Sequence, residues 1–410
     1  VKSRLSQRSH LEKQREKTEL ARIKAGEPHL VEYFHQVEDG YSHLAAQVLG
    51  ALASRYDVKL VCHLVRGPSG KNSPEPELLL QLSRYDSHLV APEYGLEFPS
   101  HPDTPDPGLV SLAGRILAAQ DNESFIREAA AVGQALWAGD QTALDALAQR
   151  LGVATEQELE QALDKGVQRR TELKHYSGAM LYYGGEWYWG VDRLYHLEKR
   201  LAELGADKRA GEAMLVPRPP VDHGPLKDDG RITLEIYPSL RSPYTSISFD
   251  RAWELARETG VNFIVKPVLP MVMRGVPATR QKGVYIFTDT AREAYEAGVP
   301  YGRFYDPIGE PARRGYSIYP WACEQGKGNE FLSAFLSCAF AQGVNTGTDR
   351  GLRKAVEQAG LNWAEARQHI GETSWEDALE KNRLDMYESG LWGVPSLRLL
   401  SKDGERGRRA

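Results

Sequence analysis

The sequence predicts an α/β fold built as two successive units of one kind. Each unit runs strand, helix, strand, helical insertion, strand hairpin. Three observations lead there. Short apolar runs bounded by turn residues alternate with longer stretches of helical period. The order recurs at a constant offset of 203: Phe34 aligns with Tyr237, Tyr41 with Tyr244, Val58 with Val261, Asp86 with Asp289 and Gly95 with Gly298, without a gap. Between the runs lies 216–225, a proline-rich stretch that cannot continue a helix.

The elements follow in order. Residues 1–28 are a charged, helix-prone arm of alternating sign, including Glu12, Lys13, Arg15, Glu16 and Lys17. Residues 29–212 form the first domain, with strands at 30–34 and 58–65 around a helix at 44–52. Its insertion helices fall at 125–137, 143–151 and 156–168, before a closing hairpin and a helix at 194–204. Residues 213–230 are the linker, and 231–410 the second domain. There the strands are 232–236 and 261–268, the helix between them is 247–258, and the insertion includes 331–342, 351–359 and 375–389. Each opening strand–helix–strand should be a parallel crossover. Near the ends, Ser177-Gly178-Ala179 aligns with Trp392-Gly393-Val394 at offset 215, so the second copy carries a net insertion.

Composition narrows the function classes. The chain has 410 residues, long enough for two domains, with 41% hydrophobic and 26% charged residues. A net charge of -5 and no long basic run beyond the arm argue against a nucleic-acid partner. No apolar run is long enough to span a bilayer, so no membrane partner is expected. The three cysteines, Cys62, Cys323 and Cys338, form no C-x-x-C and suit a reducing, cytoplasmic setting. The first residue is Val1, so an upstream segment is expected in the native chain.

Two segments stand out for chemistry. Arg241-Ser242-Pro243-Tyr244 follows a strand and opens a helix, and Gly393-Val394-Pro395-Ser396 comes far downstream. Read together, Tyr237 to Ile247 and Gly390 to Ser396 resemble a thioredoxin-like fold. The branch they resemble is the DsbA-like one that contains 2-hydroxychromene-2-carboxylate isomerases and kappa-class glutathione transferases. That branch reads F-D-x-x-S-P-Y-S at its opening and G-x-x-G-V-P-T later. In the first copy, Gly184 to Leu194 is similar to its closing hairpin and W-G-x-D-R-L helix start. The resemblance implies two tandem thioredoxin-like domains, each with an α-helical inserted subdomain.

It also implies glutathione as the bound thiol, a small electrophile as substrate, and pairing of the two domains within the chain. Ser242 would be the catalytic residue, because a hydroxyl at a helix N-terminus can donate to a thiolate that the helix end already favours. Pro243, Tyr244, Val394, Pro395, Ser396 and Lys282 would contact the ligand. A cis bond at Pro395 would let Val394 present its backbone edges to a peptide. Each motif alone has an ordinary structural meaning, a helix cap or a turn; their combination points to function.

The first copy departs at the decisive positions. Asp39 stands for Ser242, Gly40 for Pro243 and Met180 for Pro395, and a carboxylate at that place repels a thiolate. The first site is therefore expected to be degenerate. In the second copy no W-G-x-D-R-L equivalent appears before Ala410, so the native chain is expected to continue or the copy to lack its last strand and helix. Arg280, Lys282, Arg313 and Arg314 are expected in loops, Asp289 and Asp192 as helix caps, and His35, His43, His63 and His88 show no metal-ligand spacing. Two rival functions are a DsbA-like oxidoreductase relative without disulfide chemistry and a non-catalytic binding or scaffold protein.

Overall fold

The computed structural model describes residues 6–99, 103–401 and 406–409. The chain separates into two compact units, residues 13–220 and the chain from 221 onward, with 6–12 grouping with the latter. They are called the first and second units below.

After a helix, α1 (Arg8–Ala25), the first unit lays down β1 (Leu30–His35), α2 (Gly40–Ala46), α3 (Leu49–Arg55) and β2 (Lys59–Leu64). Then come α4 (Pro76–Glu93) and the insertion helices α5 (Pro107–Ala118), α6 (Asn122–Trp137), α7 (Gln141–Leu151) and α8 (Glu156–Glu172). The unit closes with β3 (Met180–Tyr183), β4 (Glu186–Trp189) and α9 (Leu194–Glu203). The second unit has β5 (Ile232–Tyr237), α10 (Pro243–Thr259), β6 (Asn262–Val265) and α11 (Arg280–Glu296). Its insertion holds α12 (Glu310–Glu324), α13 (Gly328–Phe340), α14 (Asp349–Gln358), α15 (Trp363–Ala366) and α16 (Trp375–Glu388), before β7 (Ser396–Ser401) and β8 (Arg406–Arg409).

The two sheets have the same strand order, β2-β1-β3-β4 and β6-β5-β7-β8. In each, the first two strands pair parallel and the hairpin pairs antiparallel, which is the thioredoxin-like arrangement. The central strand of each sheet is buried because both its faces are covered. Beside β1, Leu44, Leu49 and Leu52 pack with Leu181 and Leu197 in the first core. The second core gathers Ile236, Phe249, Tyr316, Phe331 and Phe335.

Several boundaries differ from the sequence reading, each for a local reason. The helix expected at 44–52 is two helices, because the N–H groups of Gln47 and Val48 turn to carbonyls three residues back, Leu44 and Ala45. The strand expected at 261–268 ends at Val265: Lys266 and Val268 still donate to the Ile236 and Pro238 carbonyls, but Pro238 has no N–H to return. α4, α5, α11 and α12 are helices that the sequence reading left out. The second sheet does have a closing strand: β8 pairs antiparallel with β7.

Candidate functional site

The second unit's site is built at the start of α10. Pro243 supplies the fixed φ that suits a first helical residue, and Ser242 precedes it in extended geometry as the N-cap. The Thr245 N–H donates to Ser242 Oγ at 3.1 Å. The Ser242 hydroxyl in turn donates to the Val394 carbonyl at 3.0 Å, so residues far apart in sequence meet. The approach to the helix is stitched down as well. Ser242 N–H donates to the Ser239 carbonyl, and Ser239 N–H to Thr245 Oγ1 at 3.3 Å. The Leu240 N–H donates to the Tyr316 hydroxyl, which donates to the Val268 carbonyl, both at 3.0 Å. Arg241 forks onto Asp306 at 2.9 and 3.0 Å.

The facing loop follows α16. Its Val394–Pro395 peptide is cis. Gly393 has φ +64°, and a Cβ built there would meet nothing within 4 Å, so the loop borders open space on that side. The Ser396 hydroxyl donates to the Gly393 carbonyl at 2.8 Å and holds the loop's exit. Trp392 is buried, and the Lys282 ammonium lies 5.1 Å from its ring centre. Burial draws the Lys282 pKa below its ordinary value.

Among the residues singled out from sequence, Ser242, Pro243, Val394 and Pro395 thus gather at one place, with Lys282 beside Trp392. Tyr244 turns inward: its hydroxyl donates to Asp289 at 2.7 Å. Asp289 is no cap. It is fully buried within α11, whose N-cap is Thr279, and it pairs with Arg292 at 2.9 Å. Arg280 and Lys282 belong to the first turn of α11, and Arg313 and Arg314 to α12, rather than to loops. Thr279 followed by a helix-forming stretch was the signal available for α11. Asp192 lies within the short turn Val191–Arg193, where it pairs with Arg193 at 2.7 Å.

The first unit holds the same backbone stitches at positions 203 earlier. Asp39 N–H donates to the Gln36 carbonyl, Gln36 N–H to Ser42 Oγ, and Tyr41 to Asp86 at 2.6 Å. Its helix start is filled, however. The Asp39 carboxylate accepts from Ser42 N–H at 2.9 Å and from the Ser42 hydroxyl at 2.8 Å. Burial pushes Asp39 up to about 6, against the pull of those two donors. A Cβ on Gly178 would lie 2.6 Å from Gln36 Cβ, and one on Gly40 2.6 Å from Ser87 Oγ. The ladders shift the expected match by one: Met180 pairs with Phe34 as Ser396 pairs with Tyr237, so Ala179 and not Met180 stands for Pro395. Ala179 has φ +53°, and its carbonyl accepts from Gly190 N–H.

The buried histidines and the cysteines do not add to this site. His35 and His43 are buried, which lowers them to about 3 and about 4 and keeps them neutral. His63 pairs with Glu32. No group of three or more His, Cys, Asp or Glu among the described residues could hold a metal. All three cysteines are free. Burial raises each thiol, Cys338 to about 11, and Cys323 tucks its sulfur beside Gly328. No described helix is long and apolar enough to cross a membrane.

Residues 233–406 match the family model of the DSBA-like thioredoxin domain. That span contains β5 from its second residue, Ser242, the insertion helices, Val394 and Pro395. Among solved structures, the chain is similar to 2-hydroxychromene-2-carboxylate isomerase at 16% identity, covering 43% of this chain and 88% of that one, with a TM-score of 0.35. It is also similar to a probable DsbA oxidoreductase from Streptomyces coelicolor at 19% identity, covering 41% and 80%, with a TM-score of 0.32. No curated protein matches the chain.

Proposed function

We propose that the DSBA-like thioredoxin domain at 233–406 binds glutathione, and that the chain is a glutathione-dependent isomerase or transferase acting on an electrophilic aromatic or conjugated small molecule. The observation that carries this is the Ser242 hydroxyl, at the N-terminus of α10 and 3.0 Å from the Val394 carbonyl, beside the open side of Gly393.

The residues fit a peptide thiol. The start of α10 favours an anion through the partial positive charge of the helix end. Val394, just before β7, offers a backbone edge that a peptide can join. Lys282 supplies a cation for a carboxylate, and Trp392 holds that cation in place. When bound, glutathione supplies a thiolate that adds to an electrophilic carbon and then either stays attached or leaves after isomerisation. Ser242 has one proton. In the free protein that proton goes to Val394, so the hydroxyl rotates to face the sulfur as the ligand takes up the Val394 edge. The Thr245 N–H stays on Ser242 Oγ throughout and strengthens it as a donor. Tyr244 and Ser396 have their hydroxyls engaged inside the protein, and they position the helix and the loop.

A disulfide-exchange reading draws on the same domain match. Positions 242 and 245, where a C-x-x-C would fall, are Ser and Thr, so the usual exchange has no thiol pair to use. A reducing cytoplasm suits the three free cysteines.

Calorimetry with glutathione tests the proposal. About one molecule should bind per chain, and Ser242→Asp should weaken binding at least ~100-fold by placing a carboxylate at the thiolate. Absence of measurable binding to the unaltered chain would overturn it and favour a scaffold role.

A further inference from the structure

The Val394–Pro395 loop has a second anchor, on the face of the sheet that carries Glu235. β7 leaves the loop with Arg398 directed back toward the residues that enter it. The Arg398 guanidinium donates to the Ser389 hydroxyl oxygen and reaches Asp385 at 3.3 Å. Asp385 lies on α16, Ser389 directly follows that helix, and Arg398 lies beyond Pro395. One side chain therefore joins both ends of the loop.

Arg398 is held from a third side by the central strand, its Nε donating to Glu235 at 2.7 Å. Glu235 is opposite Arg398 in the β5–β7 ladder, so the pair is set by register. Lys266 closes the circuit, 2.7 Å from both Glu235 and Asp385. The Tyr237 hydroxyl donates to Asp385 at 2.5 Å, and its ring faces Lys266 and Arg398 at 5.6 and 6.0 Å. Two carboxylates and two cations balance one another, and Glu235 is nearly fully buried. A planar fork suits three acceptors in different directions; a lysine at 398 could not reach them all.

The first unit solves the same joint differently. Its helix before the loop carries the cation: Arg169 on α8 forks onto Glu32 with both contacts at 2.8 Å. Opposite Glu32 in its ladder, where Arg398 stands opposite Glu235, is Tyr182, so the first unit has no arginine at that place.

We propose that Arg398 is a positioning residue: it fixes the base of the Gly390–Pro395 loop so that the Val394 edge stands opposite Ser242 before any ligand arrives. That role rests on the glutathione reading for its consequence, but the fixation belongs to the free protein. Two variants test it. Arg398→Gln removes the fork, and Ser389→Ala removes the contact at the loop entrance, together with the hydroxyl's bond to the Asp385 carbonyl, and leaves all four charges. Hydrogen exchange of segment 389–396 in the ligand-free chain should speed up about 10-fold in Arg398→Gln and about 3-fold in Ser389→Ala, with less change elsewhere. Arg398→Lys, which keeps the charge, should recover part of the protection.

Glutathione titrations should then show a dissociation constant raised about 5-fold or more in Arg398→Gln. The thiol pKa of the bound ligand should stay the same, since Ser242 is untouched. If Arg398→Gln does not fold, Ser389→Ala carries the test. Unchanged exchange over 389–396 in a folded variant would overturn the proposal. Faster exchange with no glutathione binding to the unaltered chain would keep Arg398 as the loop's anchor and remove the glutathione reading alone.

Discussion

Two helix starts in one chain share a backbone and differ in what they leave open. At both, the residue that precedes the helix donates its N–H to the carbonyl three residues back, and a tyrosine two residues on donates to an aspartate. In the second unit the N-cap is a hydroxyl whose proton reaches across to Val394. In the first it is a carboxylate with no proton to give near neutral pH, already engaged by Ser42. The space differs too. Gln36 lies against Gly67 and Gly178 in the first unit, whereas Gly393 borders open space in the second. A site of this kind needs a donor and room beside it. The first unit's helix start offers neither.

The largest way to disturb the second unit is through the residues beneath Tyr244. Asp289→Ala should cost about 3–5 kcal/mol, because Arg292, itself buried, loses its ion-pair partner. Thermal or urea unfolding of that unit would show it. A change of less than about 1 kcal/mol would mean that Arg292 finds another partner.

A smaller effect should separate the two sites. Gly178→Val should destabilise the first unit by about 1–3 kcal/mol, since its Cβ collides with Gln36. Glutathione binding should be unaffected. Binding lost together with that stability would show that the first unit takes part in the ligand site.

Asp39 gives the smallest effect and a sign. Its folded pKa, about 6, lies above the unfolded value near 3.9. Its contribution is therefore fully present below about pH 4 and is lost as pH rises through about 6. Asp39→Asn should stabilise the first unit at pH 7 by about 1–2 kcal/mol and give no advantage at pH 4. An equal difference at both values would place the effect in packing instead of charge.

Much of this was legible in the sequence. The alternation of short apolar runs with helical stretches set the order of elements, and the 203-residue register is followed by paired backbone hydrogen bonds at both helix starts. Pro243 after a serine marked the helix start, because a first-turn proline removes an N–H that would have no partner anyway. Other features left no local trace. Gln36 reads as an ordinary polar residue until the loop from 178 folds against it. Asp289 followed by Thr290 imitates a cap, and only the tertiary fold places it within a helix beneath Tyr244. Arg398 looks like an outward strand residue in a period-2 pattern; its partners lie at 235, 385 and 389. Long-range polar contacts have no period, so composition and spacing cannot show them.

The central claim is that the Ser242 hydroxyl stabilises a glutathione thiolate, and ultraviolet titration of thiolate absorbance on the bound ligand tests it most directly. In the unaltered chain the bound thiol should titrate well below its free value. In Ser242→Ala it should rise by about one to two units, the worth of one hydrogen bond to a charged group. A bound thiol that titrates at the same pH in both proteins would contradict the account.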